Sequence, residues 1–192
     1  MGESQKTLST KFSEWFKTRA LKDDVPSRIK EFSRGPSNVA KRFSSYLING
    51  YKFHTMKRDA KHKTQNFGVT LVSWTSSFAS SKDENPKTEP ITHYGSIKDI
   101  FELDYYSHFK FVLFKCDWFE AKEYKYGLTS VYFSKKVYQN DPFVLSFQVQ
   151  QCFYIKDPLE LERHFSLKKV PRDLFNMGDQ CDSQMLKIVM LN

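Results

Sequence analysis

Glycine is scarce, with 7 residues in 192, and cysteine scarcer still, with 3. So little glycine excludes collagen-like and glycine-linker chains. The thiols Cys116, Cys152 and Cys181 stand 36 and 29 residues apart and form no CxxC pair. Reduced thiols of the cytosol or nucleus fit that spacing better than a disulfide scaffold. No stretch approaches the roughly 18 apolar residues of a membrane-spanning helix, so no membrane partner is expected. Met1-Gly2-Glu3-Ser4-Gln5-Lys6 has no apolar segment behind it and reads as neither a signal peptide nor, without Ser or Thr at position 6, a myristoylation signal. What is abundant is aromatic: 18 Phe and 10 Tyr, too many for a disordered chain.

The formal charge of +8 is unevenly spread. Residues 1–66 hold 15 Lys or Arg against 6 Asp or Glu, a net of +9, and residues 67–192 hold 15 against 16, a net of −1. A basic first third suits an acidic partner, with nucleic acid the commonest, or else serves as a solvated basic arm.

Local patterns predict a string of short elements. Leu8, Phe12, Trp15, Phe16 and Arg19 recur at helical spacing, with Thr7 or Ser9 as a cap. Pro26 breaks the pattern, and a short helix is expected over 27–33, closed by Gly35-Pro36. The runs 43–48 and 51–55 flank Asn49-Gly50, the strongest local hairpin signal, because a type I′ turn needs positive φ twice. The run 57–63 reads as a charged loop and 75–90 as an exposed loop. Strands are expected over 67–74, 93–103, 108–119, 126–133, 143–148, 151–155 and 164–167, with 108–119 central and covered on both sides. Residues 104–107 read as a turn, and 185–191 as a last strand or a tail. The absence of βαβ alternation predicts an α+β, mainly β chain: an antiparallel curled sheet or small barrel with an N-terminal helical arm. The expected division is 1–39 basic helical arm, 40–170 mainly-β domain and 171–192 tail.

The segments YLINGYKFHT (46–55), TQNFGVTLVS (64–73), HYGSIKDIFELDYYSHFKFVLFKCDWF (93–119) and DPFVLSFQVQQCFYIKDP (141–158) resemble a plant domain of unknown function associated with En/Spm (CACTA-type) transposases. WFKTRA (15–20) and Gly35-Pro36 resemble the segment preceding it, so the likeness spans roughly 12–158. It implies a plant protein of transposon origin and supplies no mechanism. The chain departs from the family in a shorter 118–128 region and in ERHF (162–165), where the family carries a Trp. The order Tyr94-Gly95, Ile97, Ile100, a strand ending in Trp118-Phe119, then VQQCFYI is loosely similar to the bromo-adjacent homology domains of chromatin proteins, which are SH3-like barrels.

Asp99, Glu102, Asp104, Asp117 and Glu120 are the carboxylates available to metal-dependent strand transfer, and they read as strand-end and turn acids. The histidines and cysteines lack the close pairs of a zinc site, and Cys116 and Cys152 read as core thiols. No nucleophile has a local base and no glycine-rich phosphate loop exists, so no enzyme activity, cofactor or metal is expected. Lys41, Arg42, Lys52, Lys57, Arg58, Lys61 and Lys63, with Lys30 and Arg34 nearby in sequence, form the candidate nucleic-acid surface, binding DNA mostly without sequence preference. On the hairpin, Lys52 stands beside Tyr51 and Phe53, an arrangement that suits base stacking unless Phe53 and Phe43 pack in the core. Tyr94, Tyr105, Tyr106, Trp118 and Tyr124 are numerous enough for a methyl-lysine cage, with packing as the default. Trp15 and Phe16 are the candidate partner-binding residues, anchoring the helix on the sheet or on a transposase or chromatin partner. The expectation is a non-catalytic accessory or nucleic-acid-associating module of the nucleus or cytoplasm. The alternatives are a protein-interaction module and a degenerate transposon remnant without activity.

Overall fold

A computed structural model describes residues 2–77, 87–106, 109–124 and 127–169. The expected tail 171–192, the strand or tail at 185–191 and the thiol Cys181 lie outside the described residues. The chain divides into two compact units, Met1–Lys41 with Glu102–Phe111, and Arg42–Phe101 with Val112–Asn192.

The first unit is built on helices α1 (Gly2–Ala20) and α2 (Ser27–Ser33). Since α1 begins at Gly2, neither Thr7 nor Ser9 stands at its start. The Arg19 guanidinium grips both oxygens of the Asp24 carboxylate, at 2.8 and 2.7 Å. Pro26 stands at the N-cap of α2, as its fixed φ favours. Past Arg34 the chain leaves the helix through Gly35 at φ 80, a left-handed value that glycine adopts without penalty. Within this unit Phe32 packs on Tyr105, Phe109 and Phe111, with ring centroids 5.0, 4.7 and 5.3 Å away. The Ser37 amide donates to the Asp104 carbonyl at 2.7 Å.

The remaining elements are β1 (Lys41–Phe43), β2 (Ser45–Ile48), β3 (Tyr51–His54), α3 (Met56–Asp59), β4 (Gly68–Ser77), β5 (Lys87–Tyr105), β6 (Phe109–Glu123), β7 (Thr129–Val137), β8 (Phe143–Leu145), β9 (Val149–Lys156) and β10 (Arg163–Lys168). Between β8 and β9 lies a 3-10 turn, Ser146–Gln148. The main sheet runs β1-β5-β4-β9-β10-β7-β6-β8, with β5 also pairing β6, and β2 and β3 form a separate hairpin. The molecule is mainly β, and its antiparallel sheet curls back through the β5–β6 pairing without making a true barrel. The small-barrel alternative is therefore corrected: the sheet still ends in two three-residue strands, β1 and β8.

Asn49 and Gly50 both take positive φ, 50 and 72, as the I′ turn requires. The largest departure is at 75–90. Thr75, Ser76 and Ser77 pair with Glu89, Thr88 and Lys87, so β4 and β5 run on into the expected loop as a two-stranded ribbon. The expected turn at 104–107 starts later than its composition suggests, since β5 continues to Tyr105. Strand β6 buries Val112, Phe114, Cys116 and Trp118 in alternation and leaves the residues between them half-buried, so its two faces are covered unequally.

One core gathers Phe53, Val69, Ile97, Ile100, Phe114 and Trp118, with Phe43 half-buried beside it. A second gathers Phe67, Phe119, Val131, Cys152 and Tyr154. The Tyr154 hydroxyl donates to the Gly95 carbonyl at 2.9 Å. Cys116 and Cys152 are buried, as expected, and burial pushes both thiols up, Cys116 well above its ordinary range, which makes them poor nucleophiles.

Between β9 and β10, Asp157 accepts from the Leu159 amide at 2.8 Å and from the Arg163 guanidinium at 2.7 Å. The amide, then Arg163, holds this carboxyl below its ordinary 3.8. A depressed carboxyl stabilises the fold above its unfolded value and loses that contribution as pH falls through the folded one. Thermal midpoints should therefore fall as pH drops below about 4. Asp157→Asn should lower the midpoint at neutral pH and flatten that acid limb, read by circular dichroism.

Candidate nucleic-acid interface

The basic segment is held from beneath. Thr55 caps α3, its side chain accepting from the Arg58 amide at 3.3 Å, so the charged run opens with a helical turn rather than a plain loop. His54 Nδ1 and the Asp59 carboxylate meet at 2.6 Å, both buried. The other Asp59 oxygen accepts from the Asn66 amide. The Asn66 carbonyl accepts from the His54 amide at 3.0 Å and from Gln151 Nε2 at 3.1 Å. Gln151 Nε2 also reaches the Lys52 carbonyl at 2.8 Å, and Lys169 Nζ donates to Asn66 Oδ1 at 2.7 Å. The stretch between His54 and Asn66 is thus closed at its base by a buried carboxylate and tied to β9 by Gln151.

Above that base stand the lysines. Lys57, Lys61 and Lys63 are exposed, and among the described residues no carboxylate pairs with them. Lys52 and Lys41 are likewise exposed and without a carboxylate partner among the described residues; Lys41 belongs to the other unit. The two arginines are engaged. Arg42 Nε donates to Asp99 at 2.9 Å, and Arg58 reaches Ser44 Oγ at 3.0 Å. Arg58 therefore ties α3 to the chain before β2.

Phe53 of the hairpin packs in the core with Phe43 against it, the alternative to a stacking face. Alternation puts Lys52 opposite exposed Leu47, while Phe53, opposite Tyr46, is 1% exposed in the core. Tyr51 is half-buried against the same core. Four of the five carboxylates pair with basic side chains of the strands. Asp99 pairs with Arg42, Glu102 with Lys110, Asp117 with Lys98 and Lys136, and Glu120 with Lys122 and Lys135. The Asp104 carbonyl takes the Ser37 amide. Among the described residues no three of His, Cys, Asp and Glu stand together as metal ligands. The tyrosines proposed for a cage are dispersed. Trp118 is in the first core, Tyr94 packs on the second, Tyr105 stacks with Phe32, and Tyr124 packs on Phe165. Trp15 and Phe12 are exposed at 58% and 61%, touching each other at 5.7 Å, with Phe16 half-buried beside them. No helix among the described residues is long and apolar enough to cross a membrane.

Sequence reasoning missed Asp59, Asn66 and Gln151. The Gln151–Asn66 contact joins residues 85 apart, and no motif marks Asp59 although His54 stands only five residues before it.

The protein is thus a mainly antiparallel β chain with helices and an anchored basic segment. Residues 101–164 match the family model of a domain of unknown function, DUF4216. This 64-residue segment runs from the later part of β5 to the start of β10 and leaves the basic segment outside it. No curated protein and no solved structure matches the chain.

Proposed function

We propose that the protein is a non-catalytic accessory module of a transposase-derived plant protein, associating with DNA through the basic segment. The observation that carries this reading is the anchored run holding Lys57, Lys61 and Lys63 exposed and free of carboxylate partners among the described residues. Ammonium groups in that state exchange condensed counterions for phosphates, which drives binding without sequence preference. The four-residue helix α3 is too short to lie along a major groove, so base readout is not expected. The transposase link rests on the DUF4216 match and on the longer resemblance. This reading puts the site of action at nuclear DNA, with transposase or chromatin proteins as neighbours.

Fluorescence anisotropy of a labelled duplex tests it. Three phosphate contacts predict micromolar binding at about 50 mM salt that weakens roughly 40-fold by about 200 mM. Absence of binding at 50 mM, or binding indifferent to salt, rejects it. A second reading, a protein-interaction module, is favoured by the exposure of Phe12 and Trp15 on one stretch of α1. It predicts that Trp15→Ala removes a partner while charge changes at 57, 61 and 63 do not.

A further inference from the structure

Strands β5, β6 and β7 form a cleft that uses none of the basic-segment residues. It is open to solvent and offers about 380 Å³, within the range of small-molecule sites. Lys98 from β5, Lys115, Asp117 and Trp118 from β6, Lys136 from β7 and Tyr138 just beyond it line the space. Three lysines and one carboxylate thus line the cleft, with Lys115 Nζ over the Phe143 ring, 6.0 Å from its centroid. Lys98 and Lys136 share Asp117, at 3.5 and 2.9 Å, and among the described residues no carboxylate pairs with Lys115. The cleft therefore carries an excess of two positive charges, which suits a phosphate.

Tyr138 adds a second, independent observation. It takes φ 52, a left-handed value unusual for a non-glycine residue with a bulky side chain, and its side chain stays 57% exposed. The ring is held edge-on by His93 at 5.2 Å, and His93 is in turn held by Ser73 at 2.7 Å. The backbone accepts strain at Tyr138, whose ring packs on His93 while more than half of it stays exposed. An aromatic surface next to a phosphate-sized excess of positive charge matches one ligand chemistry, a planar base bearing a phosphate.

We propose that this cleft binds a nucleotide, with the phosphate among Lys98, Lys115 and Lys136 and the base against Tyr138. The same chemistry has two sources, a free nucleotide and an unpaired nucleotide of a single strand. Calorimetry on the full chain separates them, with adenosine monophosphate, adenosine, inorganic phosphate and a ten-residue oligothymidine as probes. The mononucleotide should bind at least tenfold more tightly than adenosine or phosphate. Oligothymidine binding without mononucleotide binding assigns the strand as the source. Tyr138→Asn keeps a residue that tolerates the left-handed backbone and removes the ring, so affinity should fall about tenfold with an unchanged thermal midpoint. Lys115→Gln, at a half-buried position of β6, should weaken binding independently of that backbone. Lys57, Lys61 and Lys63 changed to Glu should leave nucleotide binding intact, so failure of this cleft and failure of the duplex surface are told apart. Equal affinity for phosphate and mononucleotide, no binding of any probe at millimolar concentration, or tighter binding of a phosphotyrosine peptide overturns the proposal.

Discussion

Asp59→Ala should destabilise the protein by about 3 kcal/mol, the usual cost of stripping a buried polar pair of one partner. Its carboxylate satisfies two buried donors at once, the His54 ring at Nδ1 and the Asn66 amide. Alanine satisfies neither and leaves a space in a site where Asp59 is 5% exposed. His54 is also short of partners, because its Nε2 is buried with none among the described residues. The loss therefore falls on a network whose His54 ring already lacks one partner. Asp59→Asn keeps one acceptor oxygen, so it should cost roughly half as much. Denaturant unfolding monitored by fluorescence reads both. The alanine variant should also bind DNA more weakly although no lysine has changed, because the closed base beneath Lys57, Lys61 and Lys63 has opened. A change within about 0.5 kcal/mol of wild type would show that the network does not hold the segment.

Gly68→Ala should be destabilising on a comparable scale, through a different cause. Gly68 pairs with Cys152 where β4 meets β9. A methyl there would stand 2.5 Å from the Cys152 carbonyl oxygen and 2.9 Å from Tyr154 Cε2. The obstacle is backbone of the paired strand, which cannot swing aside as a side chain can. Relief means parting the strands beside the second core, where Cys152 and Tyr154 are packed. Overpacking of this kind costs about 1–3 kcal/mol and sometimes prevents folding. Soluble yield and the unfolding midpoint measure it. Gly35→Ala is the informative contrast, since a methyl there meets nothing within 4 Å and only the left-handed backbone at φ 80 opposes it.

Those two sites differ in how far they could be read in advance. The hairpin was legible because Asn49-Gly50 states its own backbone geometry, and the core positions of Phe53, Cys116 and Cys152 followed from apolar strands. The outer part of the β4–β5 ribbon was not legible. Its Ser, Lys, Glu and Pro residues carry no apolar alternation, so composition there mimics a loop. Backbone geometry also sets the faces of the hairpin: period-two alternation turns Lys52 away from Tyr51 and Phe53. The lysines of the basic segment were found from charge alone, but what anchors them was hidden. His54, Asn66 and Gln151 are ordinary polar residues until the sheet brings β9 against the chain that follows β3. Charge alone groups Arg42 with the lysines, because Asp99, 57 residues away, gives no local sign of being its partner.

The most direct test of the central claim compares salt dependences. Duplex affinity should be measured across salt concentrations for the wild type and for the variant with Lys57, Lys61 and Lys63 changed to Glu. The account predicts a steep wild-type slope, near 2.7 for three phosphates, and a variant that keeps its fold but binds at least 100-fold more weakly with a much shallower slope. A variant with wild-type affinity and slope would contradict it, and would mean that the basic segment is not the surface that meets DNA.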